Sequence, residues 1–312
     1  MLTWMNYLTN YQLLPLERAA ETIHEFTNQT VSEGTLVNAS KKLYAALEEA
    51  EKVIKEQIIA SDVVHFDETG MRSENKTQWL HVASTEKLTY YAFHEKRGAQ
   101  AAERIGILPE FNGTAMHDHW KPYYTFKDCT HAECNAHNLR YLRDIHDNYG
   151  QVWAENMAGL LIEIKRRVDT LKNKGTAQME PAELETWRVR YHGIIEDGIA
   201  EDAQKSSKGL SEKTAKPKKN KALNLLLKLR DYDLETLAFM YDFKIPFDNN
   251  LAERDLRMQK LRQKISGCFR GEEGAKVFCR IRSYLSTARK NGQGVMESLV
   301  KAIRGEPFIP QT

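Results

Sequence analysis

The stretch that decides the fold class is Val63-Val-His-Phe-Asp-Glu-Thr-Gly70, an apolar run followed by carboxylates and a turn signal. Two further β-rich runs, residues 78–83 and 88–94, follow it across short polar connections. This spacing predicts three strands that pair antiparallel. A helix predicted at residues 98–105 makes the apolar run at residues 113–117 a strand reached by a crossover. Such a strand runs parallel to an existing one, so we expect a mixed α/β sheet in which it lies beside the first strand.

Helical periodicity surrounds these strands on both sides. Before them, residues 16–26 and 31–59 place apolar side chains at helical spacing, with a polar turn in between. This helix-turn-helix pattern is compatible with DNA binding and also with a simple packing hairpin. After the strands, three amphipathic stretches predict helices that interrupt the sheet, at residues 152–171, 182–199 and 222–241. The chain from Pro246 to about residue 304 is then predicted to be helical, with a break at residues 266–274.

These patterns divide the chain into four expected segments. Residues 129–133 are predicted to add a short fifth strand to the core, followed by a helix at residues 135–147. The lysine-rich stretch at residues 205–221 predicts a solvated, mobile loop, with contact to a DNA backbone as the alternative. The segments are an N-terminal helical segment at 1–60, the first part of an α/β core at 61–150, a helical insertion at 151–244 and a C-terminal helical part of the core at 245–312.

Composition limits the possible classes of protein. With 312 residues, 41% of them hydrophobic, the chain can bury a full core. Because the net charge is only +2, any affinity for nucleic acid must come from uneven placement of the 45 basic residues. Four cysteines are too few for a disulfide scaffold, and the first residues have no signal-peptide pattern. No window approaches the roughly 18 apolar residues of a membrane helix, so we expect a cytoplasmic protein with no membrane partner.

Three carboxylates lie at positions where catalytic, metal-binding residues are expected. Asp67 ends the first predicted strand and Asp118 follows the crossover strand, so both are expected at one rim of the sheet. Taken alone, an Asp that follows a strand is usually a turn or cap residue. Glu253 lies just after Pro246, where a new helix is predicted to begin; with Asn250 as the cap, Glu253 would also fit a capping box. Carboxylates from several elements are the ligands that paired Mg²⁺ ions require.

Several motifs, which cover roughly residues 61–308, resemble the bacterial transposases of the insertion-sequence sixty-six family. The resemblance implies an RNase H-like fold, an all-helical insertion before the last catalytic residue, and a triad of two aspartates and one glutamate. Asp67, Asp118 and Glu253 match those three places, and they are therefore the expected catalytic residues and ligands of two Mg²⁺ ions, with Mn²⁺ as a substitute. The motifs are His65-Phe-Asp-Glu-Thr-Gly70, Trp79-Leu-His-Val-Ala-Ser84, His117-Asp-His-Trp120, Cys134-Asn-Ala-His137, Asp248-Asn-Asn-Leu-Ala-Glu-Arg-Asp-Leu-Arg257 and Ile265-Ser-Gly-Cys-Phe-Arg270.

The same resemblance implies a function. It predicts a transposase that cleaves DNA at transposon ends and transfers the strand into target DNA, acts as a homo-oligomer on DNA at the nucleoid, and has no small-molecule substrate. Members of this family usually carry a longer N-terminal region with a coiled coil and a zinc-finger-like module, which this chain lacks. A truncated, inactive DNA-binding or inhibitory protein derived from a transposase is therefore the alternative. A cellular RNase H-like nuclease fits the triad but not the long helical insertion.

Two further sets of side chains qualify as site residues. Cys129, His131, Cys134 and His137 could ligate zinc by composition, but their spacing is too crowded for the paired knuckles of structural zinc sites. The family's Cys-x-x-His pair matches Cys134 and His137, which we interpret as packing residues or neighbours of the metal ligands.

The second set is basic. Residues 254–304 contain thirteen Lys or Arg against four acidic residues. A solvated charged face is the ordinary explanation, but the proximity to Glu253 favours contact with DNA phosphates. The predicted DNA-binding residues are Arg254, Arg257, Lys264, Arg270 and Lys276.

Overall fold

A five-stranded mixed sheet organises the α/β part of the chain. In the computed structural model, which describes residues 1–73, 76–208 and 220–311, the strand order is β3-β2-β1-β4-β5. The strands are β1 (Val63–Ser73), β2 (Lys76–Ser84), β3 (Thr89–His94), β4 (Thr114–His117) and β5 (Thr130–Glu133). The chain forms two units, the first made of Met1–Ala115, Trp120–Thr130 and the residues from Asn250 onward, the second of Met116–His119 and His131–Asn249.

The pairing of the strands agrees with the sequence. β1, β2 and β3 form an antiparallel meander, in which Asp67 lies opposite Val82. The crossover strand β4 is next to β1, as predicted. The N–H of Thr130 donates to the carbonyl of Gly113, and the N–H of Cys134 donates to the carbonyl of His117. The donor and the acceptor are the same number of residues apart in both bonds, so β4 and β5 are parallel. The predicted α/β class with a mixed sheet and added helices is confirmed, and it is consistent with an RNase H-like core.

One strand boundary was predicted wrongly. β1 continues past Asp67 to Ser73, because Glu68 to Ser73 pair residue by residue with β2 as one long hairpin. Asp67 therefore lies in the middle of β1 rather than at its end. The polar side chains after Asp67 suggested a turn, but the hydrogen-bonded ladder to β2 keeps this segment extended.

Helices of the first unit cover both faces of its part of the sheet. On one face, Ala252, Leu256 and Phe278 pack against Met71 and Val82. On the other face, apolar residues before and after β1 form a second cluster that includes Ile54, Phe66, Phe111 and Tyr123. The helices are α1 (Leu2–Asn6, continued by a π-helical turn at Tyr7–Tyr11), α2 (Leu16–Thr27), α3 (Glu33–Ala46), α4 (Glu48–Ile59), α5 (Ala99–Ile105), α11 (Asn250–Ser266), α12 (Glu272–Lys290) and α13 (Val295–Ile303).

The predicted helix at residues 31–59 is two helices. The chain leaves helical geometry at Leu47, where φ is −101° and ψ is 6°, and α4 begins at the next residue. Leu47 is fully buried, so tertiary packing holds a bend that the apolar periodicity does not signal. The predicted break after Ser266 is confirmed, and in it Phe269 donates its N–H to the carbonyl of Arg72 at 3.1 Å.

The second unit consists mainly of helices around one apolar core. These are α6 (Asn135–Tyr149), α7 (Val152–Asn173), α8 (Pro181–Lys208), α9 (Lys221–Asp231) and α10 (Asp233–Tyr241). Trp153, Tyr191 and Leu229 are buried at its centre. The single helix predicted at residues 222–241 is split at Tyr232, whose φ of −125° and ψ of 39° lie outside helical geometry.

The two ends of the lysine-rich stretch at residues 205–221 are helical, which corrects the prediction of a loop there. Residues 205–208 belong to α8 and Lys221 begins α9, because helical hydrogen bonding extends into both ends of the stretch. Residues 209–219, with Lys213, Lys216, Lys218 and Lys219, lie outside the described residues. Within the described ranges, the structure contains no helix that is both apolar enough and long enough to traverse a bilayer.

Candidate active site

Asp67 projects from the middle of β1 in the first unit. Its side chain is partly buried, and its Oδ1 accepts the N–H of Glu68 at 2.8 Å. Side chains alternate between the faces of a strand, so Asp67 shares a face with Met71. Since Met71 packs against Ala252 of α11, Asp67 lies on the face of the sheet that α11 covers.

Glu253 lies in the first turn of α11, in the same unit. α11 is held on the sheet by Asp255, whose carboxylate accepts hydrogen bonds from Ser84 Oγ at 2.6 Å and Lys290 Nζ at 2.7 Å. The structure therefore brings Glu253 and Asp67 to the same side of the sheet. α11 begins at Asn250, so Glu253 is its fourth residue, whereas a capping box with Asn250 as cap requires the third.

Asp118 directly follows β4 and belongs to the second unit. The preceding residue, His117, is fully buried; its Nδ1 lies against the carbonyl oxygen of Asp118, and its Nε2 is 2.9 Å from Nδ1 of His131. Burial lowers the pKa of His117 to about 3, so its ring is neutral at physiological pH. These contacts fix the backbone that carries the Asp118 side chain.

A buried ionic cluster next to Asp118 was missed in the sequence. Glu133 at the end of β5 is 1% exposed and accepts hydrogen bonds from His119 Nδ1 and, at 2.8 Å, from Lys228 Nζ. Burial raises the pKa of Glu133, but the His119 hydrogen bond and the Lys228 charge outweigh burial and lower it to about 2. Lys228 also donates to Asn138 at 2.7 Å. His119 lies in a quoted motif, but Glu133 and Lys228 do not, because the members are separated in the sequence and meet only in the fold.

Each of the four cysteine and histidine residues between positions 129 and 137 has contacts in the fold. Cys134 Sγ accepts the N–H of Asn249 at 3.1 Å, and Cys129 Sγ donates to the carbonyl of Phe126 at 3.7 Å. His131 is paired with His117, and the His137 ring lies 6.4 Å from that of Tyr141. Cys134 and His137 are within the second unit, one at the start of α6 and the other in its first turn. The Sγ of Cys134 and a ring nitrogen of His137 lie within 4.8 Å of each other, so both interpretations of this pair, as packing residues and as neighbours of metal ligands, stay predictions.

All five predicted DNA-binding residues are exposed and belong to the first unit. Arg254, Arg257 and Lys264 lie on α11, while Lys276 pairs with Glu272 at 2.7 Å. Arg270 is 88% exposed in its side chain and lies 3.7 Å from a carboxylate of the N-terminal helices. The basic side chains therefore follow the helix that carries Glu253. Such an exposed row can meet phosphates without the cost of desolvating a buried charge.

Arg262 differs from its basic neighbours. Its guanidinium carbon stacks 3.5 Å from the ring centroid of Phe269, and burial lowers its pKa to about 10. This stacking therefore stabilises the segment between α11 and α12.

The donor set suits a hard divalent cation. Asp67 and Glu253, both of the first unit, carry carboxylate oxygens on the face of the sheet that α11 covers. Mg²⁺ and Mn²⁺ bind through such oxygens, whereas a soft metal would need sulfur or imidazole ligands.

A family model described as "Transposase IS66 family" matches residues 1–277 of the chain. The match includes the N-terminal helices, which the motifs quoted above do not cover, and ends within α12. No curated protein matches the chain at a significant level.

Proposed function

The chain belongs to the IS66 transposase family, and from this premise we propose that it catalyses metal-dependent DNA cleavage at transposon ends and strand transfer into target DNA. The observation that carries the proposal is the pair of carboxylates, Asp67 and Glu253, on the face of the sheet where α11 packs. This pair matches the first and last residues of the family's catalytic triad. Asp118, directly after the neighbouring strand β4, matches the second.

In this proposal the three carboxylates form one metal site. Asp67 and Asp118 would hold two Mg²⁺ ions between them, and Glu253 would complete the coordination of the second ion or orient a water molecule. When bound, the ions supply activation of the attacking oxygen and stabilisation of the leaving oxygen. Mn²⁺ could replace Mg²⁺, because both are octahedral ions that prefer oxygen ligands.

The protein's own residues would position the DNA for two displacements. The first is hydrolysis of a phosphodiester at the transposon end, which frees a 3′-hydroxyl; the second is attack of that hydroxyl on a target phosphodiester. Both occur at the same carboxylates and need no covalent protein intermediate. Arg254 and Arg257, within one turn of Glu253, would hold the phosphates on either side of the reacting bond. Lys264, Arg270 and Lys276 would extend this contact along the duplex.

We assign the segments of the chain to parts of this task. Residues 61–150 and 245–312 would provide the RNase H-like catalytic core, interrupted by the helical insertion at 151–244. Residues 1–60 would provide a helical segment that contacts DNA or packs on the core. The partners would be transposon ends, target DNA and further copies of the chain, assembled at the nucleoid.

The test is cleavage of an intact transposon-end duplex with Mg²⁺, Mn²⁺ or EDTA. We expect the strand that ends the transposon to be cleaved to a 3′-hydroxyl with either metal and not with EDTA, and an Asp67→Asn chain to be inactive with both. Binding of the duplex without any cleavage by the wild-type chain would contradict the proposal. That outcome would favour an inactive, DNA-binding derivative of a transposase.

A further inference from the structure

Trp79, Arg97 and Trp120 form a cation–aromatic stack in the first unit. The guanidinium carbon of Arg97 lies 3.9 Å from the ring centroid of Trp120 and 4.9 Å from that of Trp79. All three side chains are partly exposed to solvent, and that of Arg97 is 35% exposed. The stack therefore presents flat π-surfaces and one cation at the surface of the molecule.

The buried carboxylate of Glu68 holds this stack in place. Glu68 is 2% exposed in its side chain and accepts a hydrogen bond from Nε of Arg97 at 2.7 Å and another from the hydroxyl of Tyr123. The Tyr123 ring also meets the edge of Trp120, with centroids 5.8 Å apart. Arg97 is thereby held in one orientation, so the stack needs little rearrangement to accept another flat group.

Space for that group lies beside Trp79. In the register of β1 and β2, Trp79 is directly opposite Gly70, which has no side chain to cover it. A Cβ atom placed on Gly70 would meet, among the described residues, only Thr77 Cγ2, at 3.8 Å. The Trp79 ring is therefore not within contact distance of that position, and a planar group can lie against it.

Two basic side chains lie near the space beside Trp79. Arg72 is exposed and, two residues along β1 from Gly70, lies on the same face of the hairpin as Trp79. Lys260 of α11 is also exposed, and its Nζ lies 3.4 Å from the carbonyl oxygen of Gly70. A ligand with both a flat ring and a neighbouring phosphate would satisfy these features together.

We propose that the Trp79–Arg97–Trp120 stack binds an unpaired nucleobase of the DNA, with the adjoining phosphates held by Arg72 and Lys260. Every base has a π-face that can stack on Trp or Arg, whereas a base inside a duplex is already stacked. The site would therefore select unpaired strands with little preference for sequence. That the partner is DNA rests on the proposed function. Because Glu68 and Asp67 are consecutive in β1, their side chains lie on opposite faces of the sheet, so this site is separate from the carboxylate site.

The test compares the affinity of the chain for two labelled oligonucleotides in EDTA, a fully paired duplex and the same duplex with a short unpaired end. Fluorescence anisotropy gives the ratio of the two Kd values. We expect Trp79→Leu to reduce the preference for the unpaired end by about tenfold, or ~1.4 kcal/mol. Trp79→Phe keeps a stacking ring, so it should retain most of the preference for the unpaired end. The matched control is Trp187→Leu. It removes a Trp of the second unit whose ring centroid lies 4.8 Å from the guanidinium carbon of Arg190.

Three outcomes of the affinity measurements would overturn the inference. They are a wild-type chain with no preference for the unpaired end, an unchanged preference in Trp79→Leu, and equal losses in Trp79→Leu and Trp187→Leu. A measurement on the wild-type chain needs no variant: 2-aminopurine in the unpaired end should be quenched on binding, and an unquenched probe would also overturn the inference. Because these experiments contain no metal, a failure of DNA cleavage leaves their result unaffected, and the two proposals are tested separately.

Discussion

At the residue scale, the environment of each carboxylate decides what it can do. Asp67 and Glu253 are both partly buried, on one face of the sheet, where a bound dication would meet little competition from solvent. Glu133 is also a carboxylate, but it already accepts a hydrogen bond from His119 and is paired with the charge of Lys228 within the second unit. Glu133 is therefore a structural anion, whereas Asp67, Asp118 and Glu253 are the proposed metal ligands.

The first prediction concerns these ligands. Asp67→Asn, Asp118→Asn and Glu253→Gln should each lower Mg²⁺-dependent cleavage by at least about 100-fold, because the amide keeps the shape but removes the charge that a hard dication requires. Folding and DNA binding should remain nearly unchanged. Removing one of several like charges could even raise the Tm of the metal-free protein. Cleavage of the intact transposon-end duplex and thermal denaturation measure the two effects.

The matched control for Glu253→Gln is Glu272→Gln, which changes an exposed acidic residue in the first turn of α12. It should leave cleavage unaffected. An active Glu253→Gln enzyme would remove Glu253 from the triad, and Asp248 would then be the first candidate for the third ligand.

The second prediction concerns Glu133. Its folded pKa of about 2 is below the ordinary value of 4.5, so its ionised form stabilises the fold above pH 4.5, and this stabilisation is lost as the pH falls from 4.5 towards 2. Glu133→Gln leaves Lys228 without its buried partner and should cost about 3 kcal/mol at neutral pH. The difference between the wild-type and variant unfolding free energies, measured by urea titration, should shrink at pH 3.

Glu163→Gln is the control for this measurement. Glu163 pairs with Arg190 at 2.7 Å, but both side chains are about half exposed, so its loss should cost less than about 1 kcal/mol. A Glu133→Gln cost as small as that of Glu163→Gln would show that the buried cluster contributes little to stability.

At the scale of elements, β4 lies beside β1 because the backbones that precede the two strands approach closely. Gly113 precedes β4, and the N–H of Thr114 donates to the carbonyl of Asp62 at 2.8 Å. A Cβ on Gly113 would lie 2.5 Å from the carbonyl oxygen of Asp62 and 2.7 Å from that of Ser61. Only glycine lets the two backbones approach this closely, and β4 is the strand that leads to Asp118.

The third prediction follows from this approach. Gly113→Ala should destabilise the protein by about 2 kcal/mol, since neither backbone carbonyl can move without breaking the strand pairing. Gly159→Ala is the opposite case: Gly159 lies within α7, and a Cβ there meets nothing within 4 Å in the part of the chain that the structure describes. This change should stabilise by ~0.5–1 kcal/mol. Urea denaturation of both variants checks the signs, and destabilisation by Gly159→Ala would contradict the explanation.

At the scale of the whole molecule, charge is distributed unevenly along the chain. The net charge is only +2, yet residues 254–304 have an excess of nine positive charges. Arg254, Arg257 and Lys264 are exposed on one helix of the first unit. Binding of DNA through this region should depend on phosphates more than on base sequence.

The fourth prediction is weakly sequence-specific DNA binding that weakens steeply with salt. Five phosphate contacts would give a slope of log K against log salt of about −4.5, and replacing Arg254, Arg257 and Lys264 by alanine should reduce its magnitude by about 2.7. Replacing three ion-paired basic residues of the second unit, Lys165, Arg188 and Arg190, is the control with the same charge change. Tight, salt-insensitive binding to one sequence would mean that the helices at residues 16–47 recognise bases.

The sequence by itself determined the element types, the position of β4 beside β1, and the motifs that identify Asp67, Asp118 and Glu253. These features were predictable because apolar periodicity and turn residues act locally, and because the motifs are contiguous in the chain. The convergence of all three carboxylates stays a prediction.

Only the tertiary structure decided where continuous periodic patterns end and which distant residues meet. Pairing with β2 extends β1 beyond Asp67, and buried contacts bend the chain at Leu47. The Glu133–Lys228 ion pair and the stack of Arg97 on Trp79 and Trp120 join residues from separate elements. Such contacts follow from the packing of whole elements, and a linear pattern carries no signal for them because neither partner's local sequence depends on the other.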